Sequence, residues 1–201
     1  MAEQKVANKV RYNLKNVHYA KLKYDTLQSK WGYEKPVPIP GAVSIALSKI
    51  GEMVKFYADG ILYYCADPKG GKEGDLEIAR IPESFVKDIL GASVDSKGMI
   101  VETTGDKTSP FALLFEFEGD QKAQRHCLYH CFASQNEENG NTTEGSIEVA
   151  TEKLNIVSSP SPYFEDANGK RLLQISTGDS ADQTTYDAWY DAVPMPNAVV
   201  G

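Results

Sequence analysis

Phe111-Ala-Leu-Leu-Phe-Glu-Phe-Glu118, Gly119-Asp-Gln-Lys122 and Gln124-Arg-His-Cys-Leu-Tyr-His-Cys-Phe-Ala-Ser134 stand in succession near the middle of the chain. Two stretches rich in apolar and aromatic residues flank a polar turn, which is the pattern of a β-hairpin. Its arms run to about ten residues each, against a usual five or six. Side chains alternate along a strand, so Phe115 and Phe117 share one face and Glu116 and Glu118 share the other.

Outward from this hairpin the period of two persists. Tyr12 to Tyr19 reads as an early strand with imperfect alternation. Ala42 to Ser48 alternates, with Val43, Ile45 and Leu47 on one face. Met53 to Ala58 and Ile61 to Ala66 flank Asp59-Gly60, a turn dipeptide, and predict a second hairpin. Leu76 to Ile81 alternates again. Pro82 then opens a short helix over 83–90, with Gly91 suited to the left-handed position after it. Downstream, Ile147 and Val149 have the opposite parity to Leu154 and Ile156, so a bulge or bend is expected near 150–153. Asn168-Gly169 offers a turn before Arg171 to Ser176. Thr184 to Val193 reads as a second helix, with Asp182 as cap and Tyr186, Trp189, Tyr190 and Val193 on one face. The weakly patterned stretches 20–38, 67–75 and 135–145 are expected to be loops. The whole reads as one mainly β domain over 1–201, a β-sandwich or small barrel of antiparallel strands flanked by one or two short helices. Residues 1–10 and 194–201 are expected to be flexible ends.

At 201 residues, one domain of this size buries roughly 70% of its unfolded surface and needs no metal or disulfide staple. Apolar residues make up 41% and charged residues 24%, as in an ordinary globular chain. The longest apolar run, Ile61 to Ala66, is six residues, against about 20 for a membrane helix. Lys5, Lys9, Arg11, Lys15, Lys21 and Lys23 have no apolar stretch behind them, so no secretory signal is expected. The formal charge is -7, unevenly spread. Residues 1–35 hold eight Lys or Arg against three acids, a net of +5, and the remainder carries -12. Acidic bulk argues against tight binding of a phosphate backbone, which relies on Lys and Arg displacing counterions. The basic N-terminal part suits nucleic acid, the acidic part of another copy, or plain solvent.

Gly70-Gly-Lys-Glu-Gly74 lacks the spacing of a phosphate loop, and neither a Gly-x-Ser-x-Gly elbow nor a His-Glu-x-x-His motif is present. Arg125-His-Cys-Leu-Tyr-His-Cys131 gathers four residues of metal-ligand type, two His and two Cys. On a strand, however, His126 and His130 stand about 13 Å apart on one face, with Cys127 and Cys131 equally far apart on the other. Zinc needs its ligands within about 2.0–2.3 Å, so no metal is expected. A Cys–His dyad fails for the same reason, because neighbours on a strand point apart. Three cysteines (Cys65, Cys127, Cys131) and no signal predict free thiols in a reducing compartment, where Asn141-Thr-Thr143 would carry no glycan. Glu116 and Glu118 suit acid–base work or, more simply, a solvated sheet surface. The hairpin bearing Phe56, Tyr57, Tyr63 and Tyr64 is apolar on both faces. It is either buried within its own chain or packed on a second subunit.

Several segments together resemble a family. Asn13-Leu-Lys-Asn-Val-His-Tyr-Ala20, Ile39-Pro-Gly-Ala-Val-Ser44, Phe56-Tyr-Ala-Asp59, Gly74-Asp-Leu-Glu-Ile-Ala79, Ile81-Pro-Glu-Ser-Phe-Val-Lys-Asp-Ile-Leu-Gly91, Phe111 to Ala123 and Ser146-Ile-Glu-Val-Ala-Thr-Glu-Lys-Leu154 look like the major tail proteins of long-tailed phages and prophages of Gram-positive bacteria. The likeness is collinear from about residue 10 to about 193. It implies a virion structural protein with no catalytic motif and no cofactor. Six subunits would close a ring, and rings would stack into a tail tube through which DNA passes without specific binding. A loop at about 51–75 would reach a neighbouring copy. It also implies assembly in the host cytoplasm, with tape-measure, terminator and distal tail proteins as further partners, and no membrane. On this reading Phe56, Tyr57, Tyr63 and Tyr64 are candidate interface residues and Glu116 and Glu118 candidate lumen-facing acids. Other classes also fit the residues: a stand-alone β-sandwich binding carbohydrate on its aromatics, a tube subunit of a tail-like bacteriocin or secretion apparatus, or a small hydrolase using a carboxylate pair.

Overall fold

A computed structural model describes residues 7–137, 140 and 149–196. Its strands in chain order are β1 (Arg11–Asp25), β2 (Lys30–Tyr33), β3 (Val37–Pro38), β4 (Ala42–Lys49), β5 (Val54–Ala58), β6 (Ile61–Ala66), β7 (Lys72–Ile78), β8 (Ser93–Val94), β9 (Ile100–Val101), β10 (Phe111–Gly119), β11 (Gln124–Glu137), β12 (Glu152–Ser158) and β13 (Gln174–Ser176). Helix α1 (Glu83–Phe85) runs on as a π turn (Val86–Leu90), and α2 (Gln183–Asp187) as a 3-10 turn (Ala188–Tyr190). The architecture is mainly antiparallel β with two short helices, consistent with a β-sandwich.

The long hairpin forms the middle of the main sheet. The order is β2-β1-β10-β11-β12-β7-β4, with β13 also on β11 and β3 also on β1. Phe111 to Phe115 is apolar without interruption because both faces of β10 are covered. Phe111, Leu113 and Phe115 enter a first core with Val17, Tyr19, Leu76, Ile78, Leu128, Leu154 and Ile156, closed by Phe85, Val86 and Ile89 of the first helix. Ala112 and Leu114 enter a second core with Ala20, Cys127 and Tyr129, closed by Trp189. The first helix ends and the second begins as their sequences require, but the second stops at Tyr190, short of the expected Val193. Gly91 takes a left-handed φ of 92°, and the Asp182 side chain accepts from Thr185 N at 3.0 Å. No helix among the described residues is long and apolar enough to cross a membrane.

Several expectations need correction. The stretch 20–38 is not a loop, because β1 continues to Asp25 and returns through β2 and β3. Alternation falters early in β1 because Asn13 and Asn16 adopt left-handed φ of 51° and 50°, at two register shifts against β10. Asparagine tolerates that region better than most residues. In 67–75, β7 already begins at Lys72, and in 135–145, β11 runs to Glu137. The phase slip expected near 150–153 does not appear in β12, which begins only at Glu152; the extra residue in this pairing lies in β11, between Gln135 and Glu137. Val149 is exposed, whereas Ile147, residues 1–6 and residues 197–201 lie outside the described residues.

A bulge in β11 overturns the parity read at 126–131. Phe111 pairs with Cys131 but Leu113 pairs with Leu128, so β11 carries one extra residue there. Cys127 therefore faces the second core and Cys131 the first. The two cysteines do not share a face.

Candidate subunit interface

Strands β5 and β6 form a sheet of their own, apart from the main one. Asp59 and Gly60 both take positive φ, 51° and 78°, which makes the two-residue turn that suits strand twist. Phe56 pairs with Tyr64, and then the register shifts so that Tyr57 meets Leu62 and Tyr63 is the extra residue. The arm springs from the β4–β7 pair, where Ile50 N donates to Gly71 O at 3.0 Å and Lys49 pairs with Asp67. Phe56, Tyr57, Ile61, Leu62, Tyr63 and Tyr64 are 48–69% exposed. The alternative of a hairpin buried within its own chain therefore fails. A lone two-stranded hairpin is marginal in water, and this one turns apolar side chains outward from both faces.

Two sheet edges accompany the arm. The main sheet ends at β4 on one side and at β2 on the other, and no further strand pairs with either among the described residues. Ile45 and Leu47 of β4 pack on the first core, so the edge strand is held in place. An edge row of free N–H and C=O groups is a template for another strand.

The carboxylates fall differently from expectation. Glu116 is buried, which corrects its reading as a surface or lumen acid. It stands opposite Arg125 across the hairpin and accepts from Arg125 Nε at 2.8 Å, Asn16 Nδ2 at 2.6 Å and the Tyr190 hydroxyl at 3.3 Å. The guanidinium lies 3.8 Å from the Tyr186 ring centroid and 5.1 Å from that of Tyr190. Glu116 thus spends its charge inside the chain, under the second helix. Glu118 is partly exposed and bonded to Lys15 and Asn13, which hold its carboxyl below the usual range.

The sequence reading missed a second set of acids. Glu73, Asp75 and Glu77 alternate along β7 with Leu76 and Ile78 of the first core, so they share the opposite face. Hydrogen bonds from Thr151 and Ser44 hold Glu77 below the usual carboxylate range, at 2.6 and 3.0 Å, and Asn155 donates to Asp75 at 3.3 Å. The signal was the acid at every second position from 73 to 77. Also missed was the short β8–β9 hairpin, whose Val94, Met99, Ile100 and Val101 are exposed.

The cysteine and histidine run is dispersed. His126 stacks on Phe115, with ring centroids 5.2 Å apart, whereas His130 meets Ser159 Oγ at 2.9 Å. Burial pushes the Cys127 thiol up, and that of Cys131 up to about 12, so neither is a ready thiolate. No group of three or more His, Cys, Asp or Glu among the described residues is placed to hold a metal. Cys65, on β6, is the one exposed cysteine.

Compared with known proteins, the chain matches no family model, no curated protein and no solved structure.

Proposed function

We propose that this chain is a structural subunit that assembles with copies of itself into stacked rings, forming a tail tube through which DNA passes. It transforms no substrate. The observation that carries the reading is the β5–β6 arm, which holds apolar residues on both faces and covers neither with its own chain. Burying such an arm against a sister copy gains about 25 cal/mol for each Å² of apolar surface removed from water. The open edges at β4 and β2 give sister strands a place to pair, and ring closure removes them. The likeness to major tail proteins supplies the machine, and it rests on the seven segments alone.

A tube wall must let phosphates slide. Glu73, Asp75 and Glu77, on one face of β7, are better placed than Glu116 to give a lumen negative charge, because Glu116 is neutralised by Arg125. An acidic wall removes the counterion-release gain that would hold DNA.

Cys65 offers a direct test. Cys127 and Cys131 are buried, so a maleimide reports on the arm alone. Labelling of Cys65 is expected to slow as the protein is concentrated, because a neighbour covers β6. A rate independent of protein concentration would contradict assembly through the arm and favour a stand-alone binding module.

A further inference from the structure

A recess of about 160 Å³ opens between the N-terminal part of β1 and strands β4, β7, β10, β11 and β13. Ile45, Leu47, Phe115 and Phe117 form its apolar walls, and Arg11, Lys72, His126 and Gln174 its polar ones. Lys72 Nζ donates to Gln174 Oε1, which orients the amide. Gln174 Nε2 then stands 3.1 Å from His126 Nδ1 and donates to Ser176 Oγ at 2.9 Å, and that hydroxyl itself lies 2.8 Å from Nδ1. An Nδ1 that accepts from the Ser176 hydroxyl and the Gln174 amide leaves the ring proton on Nε2. That Nε2 is buried with no partner, on a side chain only 7% exposed. Arg11 lies 5.2 Å from the Phe117 ring centroid, and no carboxylate pairs with Arg11 or Lys72 among the described residues. The recess thus gathers donors from an arginine, a lysine and an imidazole without an anion, in a chain of net charge -7.

We propose that this recess is a binding site for a carboxylate group, held by Arg11, Lys72 and His126 Nε2–H with its carbon stem against Phe115, Phe117, Ile45 and Leu47. The volume is below the roughly 300 Å³ of a drug-sized pocket and suits a group of a few heavy atoms. Guanidinium and carboxylate match in plane and charge. The titration of the groups agrees. Burial, then Lys72 and Arg11, push the imidazole down to about 4, and burial, then Arg11, push Lys72 down. These groups lack the counter-charge that a carboxylate would provide. The carboxylate comes either from a small free acid or from an Asp or Glu side chain of a second copy. The site does not depend on the tube reading.

The test uses the full chain and the ring resonances of its three histidines. Sodium acetate is titrated into dilute protein at pH 7 and constant ionic strength. The His126 signals are expected to shift saturably while those of His18 and His130 stay, and Arg11→Gln to weaken binding at least tenfold. Arg11 is exposed, and unchanged His18 and His130 signals report an intact fold. In a second arm the protein alone is concentrated. A His126 shift that acetate competes away, and that Arg11→Gln removes, assigns the site to a sister carboxylate. Acetate binding without a concentration effect assigns it to a free acid. The proposal is overturned if neither arm moves His126, if sodium chloride reproduces the shift, or if inorganic phosphate shifts it and acetate does not.

Discussion

Glu116 and Arg125 face each other across the central hairpin, and the pair is closed on one side by Asn16 and on the other by Tyr186 and Tyr190. Removing one partner of a buried pair strands the other charge, which costs about 3–5 kcal/mol. Glu116→Gln is therefore expected to lower unfolding free energy by about 3 kcal/mol or more in urea titrations. Glu118→Gln, at the exposed Lys15 pair, is expected to leave the urea midpoint near that of the parent chain. His126 gives a pH dependence of known sign. Its folded value is depressed to about 4, against about 6.5 when unfolded. Above pH about 6.5 both states are neutral and stability is full. As pH falls toward 4 the unfolded chain takes up the proton first, so up to about 3 kcal/mol is lost. In acetate-free buffer, His126→Gln is expected to flatten that part of the curve, read as the difference between the two proteins' pH profiles. The Glu116–Arg125 pair was within reach of the sequence, since a turn at 119–122 sets these two residues opposite one another. The split of Cys127 from Cys131 was not, because one extra residue in β11 leaves no mark in composition or period.

At the scale of elements, the strands with one buried face were the most legible. Ile45 and Leu47 of β4 and Leu76 and Ile78 of β7 alternate because one face meets the first core, whereas Val43, expected on that face, is exposed at a register shift between Ala42 and Ser44, and β7 ends at Ile78. The Asp59-Gly60 turn and the Asp182 cap were legible because each needs particular side-chain chemistry. The far half of β1 and strands β2 and β3 were hidden, since short strands rich in Lys and Pro carry little period. Gly74 shows why β7 needs a residue without a Cβ. It has a φ of 154° in mid-strand, where a Cβ would run into the Ala46 carbonyl oxygen of β4. Gly74→Ala is expected to cost roughly 2 kcal/mol or more, read from urea unfolding, because backbone and not a flexible side chain must give way. A midpoint equal to that of the parent chain would mean that β4 is not seated on β7 as described.

At the scale of the whole molecule, the described residues form two cores, and the β5–β6 arm lies outside both. Folding and assembly should therefore separate. The arm's aromatics contribute to a neighbour and little to their own fold, so changing Phe56, Tyr57, Tyr63 and Tyr64 together to Ser should spare the monomer. The outward face of the arm could be read from sequence only as one of two choices, because apolar residues on both faces fit burial within the chain or against a copy equally well. The measurement that bears most directly on the central claim is sedimentation velocity with negative-stain microscopy, from micromolar to millimolar protein, on the parent chain and this fourfold variant. The account expects rings or tubes from the parent chain at high concentration, and a folded monomer from the variant. A parent chain that stays monomeric throughout, or a variant that assembles equally well, would contradict it.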